Sequence, residues 1–274
     1  MNKNVVFMTA VQVDEFPLRS RPYKYGIASW KKWCEKNNCE LFVLDEMLHP
    51  NDVMRINFHR YYSFDILDAN DIEYDQILLT DADCVIHPDC PNFFNFTGHS
   101  PYINGAYTVT HADGSYDWVV RSMEAYSLFL FDKKIFTIDS YFNAGFQVVN
   151  KSHRHIFDKL IKFYFENKDK IIYMQKTFSV GTDQPIINFL VNFEAYLDLP
   201  GWEKKHSDFK VKMLHYQFCM VDMFRKEILD EELTMTKVFP GIYQFNAIPD
   251  NPNADKTLYW MKKTYEHLYG ELNE

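Results

Sequence analysis

Long apolar runs, paired cysteines and a secretion signal are all missing from this 274-residue sequence. A membrane-spanning helix needs roughly 18 or more consecutive apolar residues, and no such stretch occurs. The first apolar run, 5–11, is too short for the core of a signal peptide. The five cysteines show neither a CxxC pair nor the His/Cys spacing of a zinc site, which favours reduced thiols. We therefore expect a soluble, cytoplasmic protein with no membrane span.

Runs of basic residues are also missing. Lys and Arg number 29 against 38 Asp and Glu, the net charge is −9, and basic residues cluster only in isolated pairs such as Lys31-Lys32. Because duplex binding depends on neutralising phosphates with a basic surface, nucleic acid is not indicated as a partner, although a local basic groove leaves it open. An anionic ligand would need a divalent cation or a few well-placed Arg and Lys side chains.

Glycine-rich phosphate loops are a third absence. The chain has 9 glycines and contains neither a GxGxxG fingerprint nor a P-loop. A sugar nucleotidyltransferase, which also combines a Rossmann-like sheet with a metal, would carry a Gly-rich loop after its first strand. Residues 9–14 lack that loop, so this class is kept only as the less favoured enzyme alternative.

The sequence does contain an alternation of strand and helix patterns. Apolar runs predict strands at 5–11, 40–45 and 75–80, and helical spacing of apolar residues predicts helices at 23–37 and 55–70. This β-α-β-α-β order indicates an α/β fold with a parallel sheet and crossover helices.

The second half of the chain is less regular. Turn-forming and polar residues fill 104–121, for which no helix or strand is predicted. Beyond it, the patterns predict strands at 145–149 and 241–247 and helices at 153–168, 183–193 and 256–272. No repeat or linker interrupts the chain, so we expect one domain over 1–274, with a nucleotide-binding part at about 1–100 and an acceptor and sugar part at about 101–274.

The sharpest local feature is Asp81-Ala82-Asp83, directly after an apolar strand. Ligands of open α/β sheets collect beyond the carboxyl ends of the strands. Two carboxylates separated by one residue would point the same way from extended backbone. They would suit a hard cation that bridges a diphosphate and offsets the charge of a leaving group. The plainer alternative is a turn whose acids cap the next segment.

Two further segments carry polar residues where the chain enters a new element. Asn143-Ala144-Gly145 opens a predicted strand; its small residues let the backbone approach a ligand, and Asn143 offers both a donor and an acceptor. Asp183-Gln184 opens a predicted helix, where Asp183 either caps the helix or directs a carboxylate at a sugar. Taken singly, the first segment is better explained as a turn ahead of a strand, and helix capping is the plainer explanation for Asp183.

In this order and at these intervals, the three segments resemble the glycogenin-like (family 8-type), retaining glycosyltransferases of the GT-A fold, over roughly residues 4–192. The resemblance implies a single α/β, Rossmann-like GT-A domain with a mostly parallel central sheet flanked by helices. It implies a nucleotide-sugar donor, usually a UDP-sugar, and Mn²⁺ or Mg²⁺. The hydroxyl acceptor stays open between a glycan, a protein and a modified nucleobase, and a nucleotide-sugar binder that has lost turnover is the remaining alternative.

The resemblance also implies a role for individual residues. Asp81 and Asp83 would hold the metal. The other donor contacts would come from Thr9, Ala10, Arg60 and Ala82. The sugar pocket would be lined by Asn143, Ala144 and Gly145, with Asp183 and Gln184 on the sugar hydroxyls near the anomeric carbon.

One departure from the family concerns the third metal ligand. The family usually supplies a His from a late His-Phe-x-Gly-like segment, and the counterpart here, 242–247, has Gln244 in its place. An amide oxygen can bind Mg²⁺ or Mn²⁺, although it is a poorer ligand than imidazole for softer ions. His215 is the alternative ligand, and the choice between the two stays open.

Overall fold

The computed structural model describes residues 3–13, 16–106, 108–110, 115–132, 141–197, 211–214, 220–222, 241–245 and 254–272. The described strands are β1 (Asn4–Thr9), β2 (Glu40–Leu44), β3 (Gln76–Asp81), β4 (Cys84–Ile86), β5 (Ile103–Gly105), β6 (Thr108–Thr110), β7 (Phe146–Val149), β8 (Val211–Met213), β9 (Met220–Asp222) and β10 (Ile242–Gln244). The described α-helices are α1 (Tyr23–Asn37), α2 (Ser63–Ala69), α3 (Phe94–Thr97), α4 (Ser115–Phe129), α5 (Arg154–Phe178), α6 (Asp183–Leu197) and α7 (Asp255–Tyr269).

A six-stranded sheet in the order β2-β1-β3-β7-β5-β8 forms the centre of the molecule. Five of these strands run in one direction and β7 runs in the opposite one. The predicted α/β class with a mostly parallel central sheet flanked by helices is therefore confirmed. In register, Thr9 of β1 pairs with Asp81 of β3, so the ends of both strands lie at one edge.

The apolar residues of the central strands alternate between two cores, as the period of a strand dictates. Val5 and Phe7 of β1 pack against α5 and α6 on one face. Val6 and Met8 pack against the tryptophans of α1 on the other face. Both faces are covered, which explains why β1 and β3 appear in the sequence as continuous apolar runs.

A second sheet of four strands, β4-β10-β9-β6, adjoins the edge where β3 ends. Its strand β10 runs antiparallel to β4 and places Gln244 opposite Cys84. The backbone N–H of Phe245 donates to the carbonyl of Asp83 at 3.0 Å. The predicted strand at 241–247 is thus confirmed for 242–244, and it lies beside the Asp81-Ala82-Asp83 turn.

Two predictions about local structure were wrong. The single helix predicted at 55–70 is a 3-10 helix (Ile56–Tyr62) followed by the short α2. Its first half, INFHRYY, is rich in aromatic residues of modest helix propensity. The segment 104–121, predicted as irregular, contains β6 and the start of α4. Helical spacing of Trp118, Ser122 and Tyr126 is visible there, but the neighbouring turn residues obscured it.

The other predicted strands and helices agree with the structure apart from their ends, whereas β4, α3, β5, β8 and β9 were not predicted. Helix α5 continues to Phe178, ten residues past the predicted end at 168, because Ile171 and Met174 extend its buried face. Within the described part of the chain, no helix has the length and apolar character that crossing a membrane requires.

Candidate active site

A pocket of about 570 Å³ lies where β1 and β3 end, at the edge of the central sheet. Because β7 runs antiparallel and its Phe146 pairs with Thr80, the residues just before β7 reach the same edge. The 3-10 helix and the first residues of α6 complete this region. Chain segments far apart in sequence therefore supply one wall each to a single pocket.

Arg60, on the 3-10 helix, connects the three predicted segments. Its Nη2 donates to Asp81 Oδ1 at 2.6 Å, and its Nη1 donates to the carbonyl of Ala144 at 2.7 Å. Its Nε lies 3.6 Å from Asp183 Oδ2. The Arg60 side chain is 6% exposed, so these partners replace almost all of its water. Burial alone would disfavour the charged guanidinium, but Asp81 and Asp183 outweigh it and hold the pKa of Arg60 above its ordinary value.

The Asp183 carboxylate, at the start of α6, is held on both oxygens. Its Oδ1 accepts from Asn57 Nδ2 at 2.7 Å, and its Oδ2 accepts from the Tyr61 hydroxyl at 3.3 Å. Asn57 also donates to the Thr182 hydroxyl. Burial raises the pKa of Asp183, and Arg60 counteracts part of that shift. The carboxylate is thus a fixed hydrogen-bond acceptor facing the pocket.

The turn before β7 carries Asn143, Ala144 and Gly145. The backbone N–H of Gly145 donates to Asn143 Oδ1 at 2.7 Å, and the N–H of Ala144 donates to Gln184 Oε1 at 3.1 Å. A Cβ on Gly145 would lie 2.5 Å from Asp81 Oδ2, so any other residue here would displace the carboxylate that Arg60 holds.

Asp81 and Asp83 both line the pocket, but not by the predicted geometry. Asp81 ends β3, and residues 82 and 83 form a turn into β4. The two carboxylates therefore do not project from one extended strand, as the prediction assumed. Burial and the negative charge of Asp81 raise the pKa of Asp83 to about 7. A cation between them would remove this repulsion.

Asp81 and Asp83 are carboxylates of the type that a hard cation binds, whereas Gln244 turns its amide nitrogen, not its oxygen, towards Asp81. Gln244 Nε2 lies 3.5 Å from Asp81 Oδ2, and its Oε1 accepts from Asn143 Nδ2 at 2.9 Å. Carboxylate and amide oxygens are ligands that Mg²⁺ and Mn²⁺ accept, with ligand oxygens or waters completing the shell. In the described ranges, no group of three or more His, Cys, Asp and Glu side chains is placed to hold a metal ion. His215 lies outside the described residues.

Of the other predicted residues, all those described except Ala10 line the pocket: Thr9, Arg60, Ala82, Asn143, Ala144, Gly145, Asp183 and Gln184. Ala10 packs in the core, and its N–H donates to the carbonyl of Leu44 at 2.8 Å. Cys84 is buried, which raises the pKa of its thiol well above the ordinary value and suits packing rather than nucleophilic attack.

Sequence reasoning missed the residues that position the site from behind. Asn57 and Arg60 are three residues apart and therefore share one side of the 3-10 helix, with Tyr61 adjacent to Arg60, a relation that is visible only once that helix is known. Helix α4 holds the turn before Asp183. The Ser122 hydroxyl accepts from the N–H of Gly181 at 3.1 Å, and the Tyr126 hydroxyl donates to the Gly181 carbonyl at 2.8 Å.

Comparison with known proteins gives the fold. No family model matches the chain, and no curated protein matches it. Among solved structures, a glycosyltransferase involved in the glycosylation of the major capsid of PBCV-1 is similar at a TM-score of 0.55 and 10% identity, over 94% of this chain and 98% of that one. At this identity the likeness shows only that the two proteins share their α/β fold.

Two other solved structures are more distant. Mouse xyloside xylosyltransferase 1, in its apo form, gives a TM-score of 0.45 at 11% identity, over 90% of this chain and 98% of that one. The protein A197 from STIV gives 0.30 at 15% identity, over 57% and 68%. Neither is similar enough to carry an argument about this chain.

Proposed function

We propose that this protein is a glycosyltransferase that moves a sugar from a nucleotide-sugar donor, a UDP-sugar, to a hydroxyl acceptor with the help of Mg²⁺ or Mn²⁺. The observation that supports this most directly is the set of contacts made by Arg60. One buried guanidinium binds the end of β3, the turn before β7 and the first residue of α6, and all three face one pocket. A fold alone would not require these contacts.

In this proposal Asp81 and Asp83 hold the metal, with Gln244 as the nearest amide. When bound, the metal would act as a Lewis acid that offsets charge on the departing diphosphate. Thr9 and Ala82, which line the pocket, would contact the nucleotide, whereas Ala10 packs in the core. Arg60, already bound to Asp81, fixes the orientation of that carboxylate.

The sugar would lie against Asn143, Ala144 and Gly145, with Asp183 and Gln184 on its hydroxyls. Because both oxygens of Asp183 already accept hydrogen bonds, this carboxylate is better suited to orient the sugar than to attack it. The resemblance to retaining enzymes implies that the configuration at the anomeric carbon is kept. Without a protein nucleophile, the acceptor hydroxyl would then bond to the anomeric carbon on the face from which the diphosphate departs, and it would pass its proton to the diphosphate. Orientation and charge stabilisation supply the rate.

A second candidate is a nucleotide-sugar binder without turnover. It is favoured by the hydrogen bond from Asn143 that occupies Gln244 Oε1, the amide oxygen available as a third ligand. Such a protein would bind UDP and leave every donor intact.

The two candidates are separated by UDP release from a panel of UDP-sugars in Mn²⁺ or Mg²⁺. The glycosyltransferase proposal expects metal-dependent release from at least one donor, and none in EDTA. UDP binding without release from any donor would instead support the binder, and failure to bind UDP at all would exclude both.

The metal role makes a separate prediction for Asp83→Asn. Removing this ligand should weaken metal-dependent UDP binding by more than about 100-fold, measured by calorimetry with and without EDTA. Asp89→Asn is the matched control, since Asp89 is an exposed aspartate that pairs with Lys36 at 3.3 Å, outside the pocket. Equal affinity of both variants in excess metal would exclude the metal role of Asp83.

A further inference from the structure

The pocket has a wall that the three motifs do not supply. It consists of Asn51, Arg55, Trp118 of α4 and Gln175 of α5, and we call it the α4–α5 wall. It belongs to the side of the sheet where α4, α5 and α6 pack together. None of these residues has a part in the proposed binding of nucleotide, metal or donor sugar.

Two polar side chains of the α4–α5 wall lack partners. Arg55 Nε is buried without an acceptor, and its guanidinium makes no hydrogen bond or ion pair with any described residue. Gln175 Oε1 is buried without a donor. A buried donor or acceptor left unpaired costs about 1–3 kcal/mol, so such atoms are rare unless a ligand or water satisfies them. Arg55 and Gln175, the residues that carry these two atoms, both line the same pocket.

Trp118 adds a large apolar surface to this wall. Its ring packs against Gly181, where a Cβ would lie 2.8 Å from the ring atom Cη2. The missing side chain of Gly181 therefore makes room for the indole. Trp118 is only partly buried, and it borders a pocket otherwise rich in amide and charged groups. An aromatic face beside a few placed polar groups is the usual composition of a site that orients an amphipathic ligand.

A sugar ring matches these three features together. Its C–H faces are apolar and would pack on Trp118, while each of its hydroxyls both donates and accepts. One hydroxyl could accept from Arg55 and another donate to Gln175. A peptide offers no comparable alternation of hydroxyls, and a nucleobase has a flat polar edge without them.

We infer that the α4–α5 wall is a saccharide-binding subsite and that the acceptor of this protein is a glycan. The subsite itself follows from the wall, whereas the word acceptor rests on the proposed glycosyltransferase function. Trp118 supplies the packing surface, Arg55 donates to a ring oxygen or hydroxyl, and Gln175 accepts.

Binding is the first test. Methyl glycosides of glucose, galactose, mannose, xylose and glucuronic acid are titrated into the full chain and followed by saturation-transfer NMR. At least one should bind, and both Trp118→Ala and Arg55→Met should weaken it by about tenfold or more. The controls are Tyr173→Ala on α5 and Arg121→Met on α4, both exposed and outside the pocket, which should bind like the unmodified protein. Melting temperatures identify any variant that fails to fold, and Trp118→Phe then replaces Trp118→Ala.

Transfer is the second test, and it separates this inference from the proposed function. With the saccharide that binds, Trp118→Ala should raise the KM for the acceptor far more than the KM for the donor. Saccharide binding without any donor turnover would overturn the glycosyltransferase proposal and leave the subsite standing. Donor turnover with no saccharide bound, or with a serine peptide or hydroxymethylcytosine nucleoside as the sole acceptor, would overturn the subsite.

Discussion

Arg60 shows how much one buried charge can organise. It binds two carboxylates and a backbone carbonyl that belong to three separate chain segments. Two charged groups removed from water are stable only if each retains a partner. The guanidinium is suited to this task because its planar fork offers several donors in fixed directions.

Replacing Arg60 with methionine tests this role. It leaves Asp81 and Asp183 without their cation, so the free energy of unfolding should fall by about 3 kcal/mol, measured by urea denaturation. Arg154→Met is the matched control. Arg154 also binds two carboxylates, Asp65 and Asp68, but its side chain is 40% exposed, and its loss should change stability by at most about 1 kcal/mol. Equal losses in the two variants would contradict the role given to Arg60.

At the scale of elements, the position of α1 depends on Gly26. A Cβ there would clash with the carbonyl oxygen of Ala82 and lie 2.9 Å from that of Cys84. The helix can therefore approach the turn that carries Asp83 only because this residue has no side chain. Both obstructing atoms are backbone, so neither can rotate away.

In Gly26→Ala, helix propensity and overpacking change the free energy of unfolding in opposite directions. Alanine in a helix interior normally stabilises it by up to about 1 kcal/mol over glycine. Overpacking against backbone should outweigh that gain and lower the free energy of unfolding by about 1–3 kcal/mol. Lys31→Ala, at an exposed position of α1, is the control and should stay within about 0.5 kcal/mol. A more stable Gly26→Ala protein in urea would show that α1 does not pack this closely.

Elements with a local signature were predictable from the sequence. The strands β1 and β3 are apolar runs, and Asp81-Ala82-Asp83 follows one of them, so both the sheet and the place of the motif could be read directly. The 3-10 helix was not predictable, because its backbone depends on contacts that Arg60 and Asn57 make far away in the sequence. Helix α4 was missed for a different reason, since turn-forming residues lie beside its own helical pattern. Trp118 and Gln175 could be recognised as pocket residues only in three dimensions.

At the scale of the whole molecule, buried histidines link stability to pH. His59 in the 3-10 helix and His153 before α5 are both buried, and burial lowers the pKa of each to about 4. An unfolded histidine titrates near 6.5. Between pH 6.5 and pH 4 the unfolded chain binds a proton at each histidine that the folded protein does not bind, which favours unfolding. The contribution of each uncharged histidine to the free energy of unfolding is therefore complete above pH 6.5 and is lost as the pH falls towards 4.

His59→Gln isolates one of these contributions. From pH 7.5 to pH 5, the unmodified protein should lose about 2 kcal/mol more stability than this variant, measured by urea denaturation at each pH in EDTA. Burial raises the pKa values of Asp83 and Asp183, so their protonation favours the folded state as the pH falls. This effect is the same in both proteins and cancels when their stabilities are compared. His267→Gln, at an exposed position, should follow the unmodified protein. Parallel pH profiles for His59→Gln and the unmodified protein would contradict the buried, uncharged state of His59.

The contacts of Arg60 have one more consequence, for the time before any ligand arrives. The guanidinium offsets the negative charge of both Asp81 and Asp183, so repulsion between these carboxylates does not separate them when no ligand is bound. The orientational freedom of these groups is lost once, during folding, rather than again at each binding event. A ligand therefore meets side chains that already stand in position.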